Sequence, residues 1–162
     1  MSILKELNVH EVLDKEKIIR FLQFDKKTLE YSFNEEEIIK NRWIYTAIDG
    51  SFLEEDEINR IISISKVNNF FCLNLNGLFN ESSNKLTIYR FNNQVEDWIK
   101  ILSPSEEYTL WDSLLFNNDN IVIIKPWSAG YNTLIAGEES VVRSICQDEH
   151  WLFNKKHPIY PL

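Results

Sequence analysis

The chain of 162 residues carries 25 acidic and 17 basic side chains, a formal net charge of −8, and 44% of its residues are hydrophobic. That hydrophobic content supports a packed core and excludes a disordered acidic tail. The acidic balance argues against nucleic acid or an anionic membrane surface as a direct ligand, because both attract basic surfaces, and it favours a basic protein partner.

The first half of the sequence predicts helices with acidic first turns on either side of a strand. Residues 15–24 have the apolar spacing of a helix. Residues 34–37 form a capping box, in which a polar N-cap is followed three residues later by Glu, and they open a second helix. Residues 42–48 are β-branched and aromatic, which predicts a strand. A second capping box at 51–54 opens a third helix.

The next segment predicts a strand pair followed by two helices. Residues 70–75 and 86–91 read as antiparallel strands. A helix follows from residue 93 to residue 102, where apolar residues recur at helical spacing. The same spacing predicts another helix over residues 108–115, with an apolar face of Tyr108, Trp111, Leu114 and Leu115.

The last segment predicts two more strands and a final helix. Residues 120–125 contain the continuous apolar run 121–124, which is typical of a central strand, and residues 131–136 form its successor. Gly137 leads into a helix, residues 151–153 predict a short strand, and residues 154–162 predict an extended tail. The expected architecture is a single α+β domain over 1–162, with a mixed or mainly antiparallel sheet of about five to six strands and packed helices.

The sequence lacks the spacings that mark common catalytic and cofactor sites. It contains no glycine-rich phosphate loop, no paired His or Cys metal motif and no nucleophile elbow, so we expect no catalytic residues, no metal and no cofactor. A small enzyme built from dispersed residues such as Cys146, Asp148 and His150 is an alternative. The absence of a secretory signal and of a long apolar run favours the cytoplasm.

Acidic residues are concentrated in two windows of the sequence, residues 30–57 and residues 96–119. Between residues 30 and 57 there are nine acidic residues and two basic ones. They can be solvated helix first turns, or they can form a surface of one charge that docks on a basic protein. On the second reading the candidate partner-binding carboxylates are Glu35, Glu36, Glu37, Glu54, Glu55, Asp56 and Glu57, with Trp43 or Trp127 as an aromatic anchor.

Residues 93–146 carry a family resemblance. They run from a Trp-bearing helix to the strand at 120–124, then Pro126-Trp127, a strand at 131–137 and a Glu-led helix. This arrangement resembles small acidic immunity proteins of bacterial contact-dependent inhibition and polymorphic toxin systems. The resemblance implies a cytosolic protein that is not an enzyme and that binds one cognate toxin domain.

The leading functional hypothesis is therefore an inhibitor that neutralises a basic toxin domain, with a nuclease as the expected toxin class. Nucleases tend to be basic because their substrate is a polyanion, and an acidic surface can imitate that substrate. A phage or mobile-element inhibitor of a host defence nuclease and an oligomeric scaffold subunit are further alternatives. The sequence leaves the oligomeric state open.

Overall fold

A computed structural model describes residues 5–8, 15–28, 30–48, 53–75, 87–102, 112–117, 119–126, 132–148 and 151. The nine strands within these ranges are β1 (Lys5–Asn8), β2 (Leu22–Asp25), β3 (Glu30–Phe33), β4 (Trp43–Ala47), β5 (Asn69–Asn74), β6 (Thr87–Asn92), β7 (Ser113–Phe116), β8 (Ile121–Lys125) and β9 (Leu134–Glu138). The five helices are α1 (Lys15–Arg20), α2 (Glu35–Lys40), α3 (Glu55–Ser65), α4 (Val95–Leu102) and α5 (Glu139–Ile145).

Seven of the strands form one sheet in the order β1-β6-β5-β7-β8-β9-β4, and all of their pairings are antiparallel. The strands β2 and β3 form a separate antiparallel pair. The α+β class and the antiparallel sheet with packed helices are confirmed. Strand β8, predicted to be central, has β7 on one side and β9 on the other.

The sheet is covered on both faces. Side chains of a strand alternate between the two faces, and in β7 Leu114 and Phe116 belong to one core whereas Leu115 belongs to the other. The first core also contains buried residues of α1, α2 and the β2–β3 pair, and the second contains those of α3, α4 and α5. The helices α2 and α3 therefore pack on opposite faces of the sheet.

Trp98 anchors the core beneath α3, α4 and α5. Its side chain is fully buried, and its indole Nε1 donates a hydrogen bond of 2.9 Å to Asn93 Oδ1. The rings of Phe70 and Phe91 meet it edge-on, with centroids 4.8 and 5.1 Å away. The same Asn93 donates to Ser65 Oγ and to the Val67 carbonyl, so the end of α3 and the start of α4 are joined.

Two predictions of helix extend over residues that form strands. Residues 113–116 form β7 and not the end of a helix, while residues 103–111 lie outside the described residues. All four residues of β7 are buried because the sheet is covered on both faces, so the apolar run has no strand alternation. Similarly, α1 ends at Arg20 and β2 begins at Leu22, which shortens the helix predicted over 15–24.

Three buried ionisable side chains have shifted pKa values, so the stability of the fold depends on pH. Burial raises the pKa of the Cys72 thiol to about 12, and burial also raises the pKa of Tyr31 to about 12. Burial has the opposite effect on Lys125, whose pKa it lowers. Cys72 forms a side-chain hydrogen bond with Ser113, whose strand neighbour in β8 is Lys125.

We expect Cys72 to make the fold sensitive to alkali. Between about pH 9 and about pH 12 the thiol keeps its proton only in the folded state, so the free energy of unfolding falls as pH rises through this window. One such group contributes up to about 1.4 kcal/mol per pH unit. Urea unfolding under reducing conditions across this range is expected to show a shallower decline for Cys72→Ala than for the wild type.

The control for this titration is Ile123→Val, which trims a fully buried side chain without a titratable group. It is expected to lower the free energy of unfolding by a similar amount at every pH. The lowered pKa of Lys125 changes the free energy of unfolding with pH in the opposite direction to Cys72. The quantity compared is therefore the difference in free energy of unfolding between each variant and the wild type at the same pH. Parallel pH profiles for Cys72→Ala and the wild type would contradict the expectation.

Candidate functional site

The first turn of α3 presents three exposed carboxylates in a row. Glu54 is the N-cap, and Glu55 and Asp56 follow it in the first turn of the helix. All three are exposed, and none forms an ion pair with another described residue. The partial positive charge of a helix N-terminus favours acidic residues at these positions. We call Glu54, Glu55 and Asp56 the α3 acidic turn.

Glu57 completes this turn but points into the protein. Its side chain is 0% exposed, and Glu57 Oε1 accepts a hydrogen bond of 2.9 Å from the Glu54 amide. Its second oxygen accepts a hydrogen bond from the Trp151 indole. The expectation that Glu57 contacts a partner is corrected, because both carboxylate oxygens bond within the fold.

The capping box of α3 therefore lies three residues later than the sequence indicated, at Glu54–Glu57 instead of 51–54. Leu53, just before the N-cap, and Ile58, just after the box, are both buried in the core beneath α3. This is the arrangement of a hydrophobic staple, in which the flanking apolar residues fix the angle at which the chain enters the helix. The backbone of the α3 acidic turn is consequently held from both sides.

Arg60 is the basic residue of α3, and it forms an ion pair with Asp148. Arg60 Nη1 lies 2.9 Å from Asp148 Oδ2 and donates to the Ile145 carbonyl at 3.2 Å. The hydrogen bond to Asp148 raises the pKa of the Arg60 guanidinium. Because Arg60 is tied to the end of α5, it forms no close pair with the α3 acidic turn.

The second predicted acidic cluster lies on α2. Asn34 Oδ1 caps this helix by accepting from the Glu36 amide at 3.1 Å. Glu35 and Glu36 are exposed, whereas Glu37 is half-buried and lies 3.7 Å from Lys40 Nζ. Ile38 buries α2 against the first core, on the opposite side of the sheet from α3. The two predicted clusters therefore form separate surfaces.

Trp43 lies at the start of β4, an edge strand of the seven-stranded sheet. It is half-buried, and its ring centroid lies 5.4 Å from that of Phe21. Both rings line a cavity of about 280 Å³ on the face that carries α1 and α2. Trp127, the other predicted anchor, lies outside the described residues.

The cavity was not predicted from the sequence. Ile18 and Leu22 contribute from the segment of α1 and β2, Leu114 and Phe116 from β7, and two polar residues, Asn41 and Asp119, complete the lining. These residues come from distant parts of the chain and share no spacing. Trp43, predicted as an aromatic anchor of the partner-binding surface, was the one sequence signal that pointed here.

The described residues contain no group of three His, Cys, Asp or Glu side chains that could hold a metal ion. His150, predicted as part of a dispersed enzyme site, lies outside the described ranges. Burial raises the pKa of the Cys146 thiol, whereas a thiolate nucleophile needs a lowered pKa. Asp148 of the same set bonds to Arg60.

No helix in the described part of the chain is long and apolar enough to cross a membrane. Comparison with models of protein families, with curated proteins and with solved structures found no match to this chain.

Proposed function

We propose that this protein is an immunity protein, which binds and neutralises a cognate basic toxin domain of the nuclease class. The observation that carries the proposal is the α3 acidic turn, in which Glu54, Glu55 and Asp56 are exposed and form no ion pair with described residues. Together with the net charge of −8, this surface offers an ordered set of carboxylates to a cationic partner.

The turn is suited to binding because its geometry is fixed before a partner arrives. The buried Glu57 carboxylate holds the Glu54 amide, and Leu53 and Ile58 pack in the core on either side. A rigid set of carboxylates loses less conformational entropy on binding than a flexible one. Carboxylates spaced along an ordered backbone can imitate the phosphates that a nuclease binds.

The test begins with capture of the partner on the purified chain from its native host, at low and at high salt. We expect one basic protein at one-to-one stoichiometry, with binding that weakens as salt rises. Production of that protein in a susceptible cell should stop growth, and co-production of the present chain should restore growth. Recovery of no partner, or of a partner that is not toxic, would overturn the proposal.

The residue-level prediction concerns the α3 acidic turn. Reversal of its charges in Glu54→Lys/Glu55→Lys/Asp56→Lys is expected to slow association with the captured toxin by about tenfold or more at low salt, and to reduce its dependence on salt. Stopped-flow or surface-based kinetics would measure both quantities. A neutral variant, Glu54→Gln/Glu55→Gln/Asp56→Asn, is expected to give an intermediate rate.

The matched control is Glu35→Lys/Glu36→Lys on α2, which changes exposed carboxylates at another helix start on the opposite face of the sheet. A smaller effect from this control would show that the α3 acidic turn contributes more to the association rate than the exposed carboxylates of α2. Circular dichroism and thermal unfolding establish that each variant is folded. Unchanged association after reversal of both clusters would exclude both acidic surfaces from binding.

A further inference from the structure

The cavity beside Trp43 has the chemistry of a pocket for one cationic side chain. Its volume of about 280 Å³ is just below the roughly 300–1,000 Å³ that is usual for small-molecule sites, so it suits a side chain better than a cofactor. Eight of its ten lining residues are apolar, and the other two are Asn41 and Asp119. None of the described side chains that line it is cationic.

Two of the walls are aromatic. The rings of Phe21 and Trp43 lie with their centroids 5.4 Å apart and with a 36° angle between their planes, and both residues are half-buried. An aromatic face attracts a cation within about 6 Å, and a guanidinium group also stacks on such a face because it is planar. The aliphatic stem of a long cationic side chain can pack against the apolar remainder of the pocket.

Asp119 brings a carboxylate to the pocket on a well-fixed turn. Asn117, which is buried, accepts hydrogen bonds at its Oδ1 from the amides of Asp119, Asn120 and Ile121 at 3.0, 3.0 and 3.2 Å. These three bonds fix the backbone amides of residues 119–121, which lead into β8. The Asp119 carboxylate is exposed and forms no ion pair with another described residue.

Asn41 adds a second acceptor. Its side-chain Nδ2 donates to the Glu37 carbonyl at 2.7 Å, which orients the amide at the end of α2. The amide oxygen, Oδ1, has no hydrogen bond to another described residue. A carboxylate and an amide oxygen together call for a ligand that donates several hydrogen bonds, and guanidinium carries five donors in one plane.

On these grounds we infer that this pocket receives an arginine side chain from a protein partner, with the guanidinium bound by Asp119 and Asn41 and packed against Trp43 and Phe21. The inference rests on the proposed function, in which the partner is a basic protein. Arginine is preferred over lysine because its planar group satisfies both acceptors and stacks on aromatic rings. The pocket would serve as a specific anchor, separate from the α3 acidic turn on the other face.

The test uses purified full-length chain and short peptides. The blocked peptide acetyl-Gly-Arg-Gly-amide is titrated into isotopically labelled protein, and amide and indole resonances are followed by NMR. We expect saturable shifts at Trp43, Asn41 and Asp119, and at least about tenfold weaker binding of the matched norleucine peptide, which keeps the stem but lacks the guanidinium. The absence of saturation at these residues, or equal binding of the norleucine peptide, would overturn the inference.

Single substitutions test which pocket residues contact the arginine peptide. Asp119→Asn is expected to weaken binding of the arginine peptide by about tenfold, and Trp43→Leu by a smaller factor, since it removes the ring but keeps apolar volume. The control Glu96→Gln changes an exposed carboxylate on α4, on the other face of the sheet, and is expected to leave binding unchanged. Equal loss in this control would show non-specific charge attraction and would overturn the inference.

Free guanidinium chloride at matched, sub-denaturing concentrations separates a protein side chain from a free small cation. Binding as tight as that of the peptide would overturn the commitment to a protein partner. Because the titration requires no toxin, it can fail while partner capture and growth rescue succeed. Failure of this inference is therefore distinguishable from failure of the proposed function.

Discussion

Glu57→Ala is expected to lower the free energy of unfolding by about 2–6 kcal/mol. The substitution removes the acceptor for the Glu54 amide and for the Trp151 indole, and each donor left without a partner costs about 1–3 kcal/mol. For a chain of this length, each kcal/mol corresponds to a shift of roughly 2–4 °C in Tm. Urea unfolding and thermal unfolding of the purified variant would measure the loss.

The same turn of α3 provides the control. Glu55→Ala removes an exposed carboxylate two residues earlier and is expected to cost less than about 1 kcal/mol, the contribution of a favourable charge at a helix N-terminus. Glu57→Gln keeps one acceptor oxygen and is expected to lie between these two variants. Equal stability of Glu57→Ala and Glu55→Ala would contradict the structural role assigned to Glu57.

Gly137→Ala is expected to destabilise the protein by more than about 3 kcal/mol or to prevent folding. A Cβ atom at this position would lie 2.0 Å from the carbonyl oxygen of Asn120, and 3.3 Å from a methyl group of Val142. The Asn120 oxygen belongs to the backbone just before β8, which pairs with β9, so no rotamer change can relieve this contact. Overpacking typically costs about 1–3 kcal/mol even where the surrounding side chains can move.

Expression level, circular dichroism and urea unfolding would establish the effect of the Gly137 substitution. Ser140→Ala, three residues later on the exposed side of α5, is the control and is expected to change stability by less than about 0.5 kcal/mol. A Gly137→Ala protein with the stability of this control would show that β8 and β9 do not approach as closely as described.

Local patterns predicted much of the fold. The strands near 42–48 and 120–125 were found from β-branched and apolar runs, and the acidic start of α2 was found from its capping residues, whereas α3 begins three residues later than its predicted capping box. These features depend on neighbours in sequence, which is why the sequence reveals them. The helix predicted over 108–115 shows the limit, because a strand buried on both faces has the same apolar run as a buried helix.

The candidate site could not be predicted from local patterns, because it is formed by contacts between residues that are far apart in sequence. Glu57 resembles its acidic neighbours in sequence, and one of the two partners of its buried carboxylate, the Trp151 indole, lies 94 positions later. The placement of α2 and α3 on opposite faces is given by the two different cores in which they pack, which no local signal determines. The cavity draws on residues from Ile18 to Val122 and has no sequence pattern of its own.

The contact between Glu57 and Trp151 has a consequence for folding kinetics. The first turn of α3 obtains its buried anchor from a residue 94 positions downstream, and β4 completes its pairing only with β9. Contacts of such high sequence separation require closure of long loops, which slows folding relative to helical proteins of similar size. During synthesis on the ribosome, α3 can reach its final anchored position only after Trp151 has left the exit tunnel.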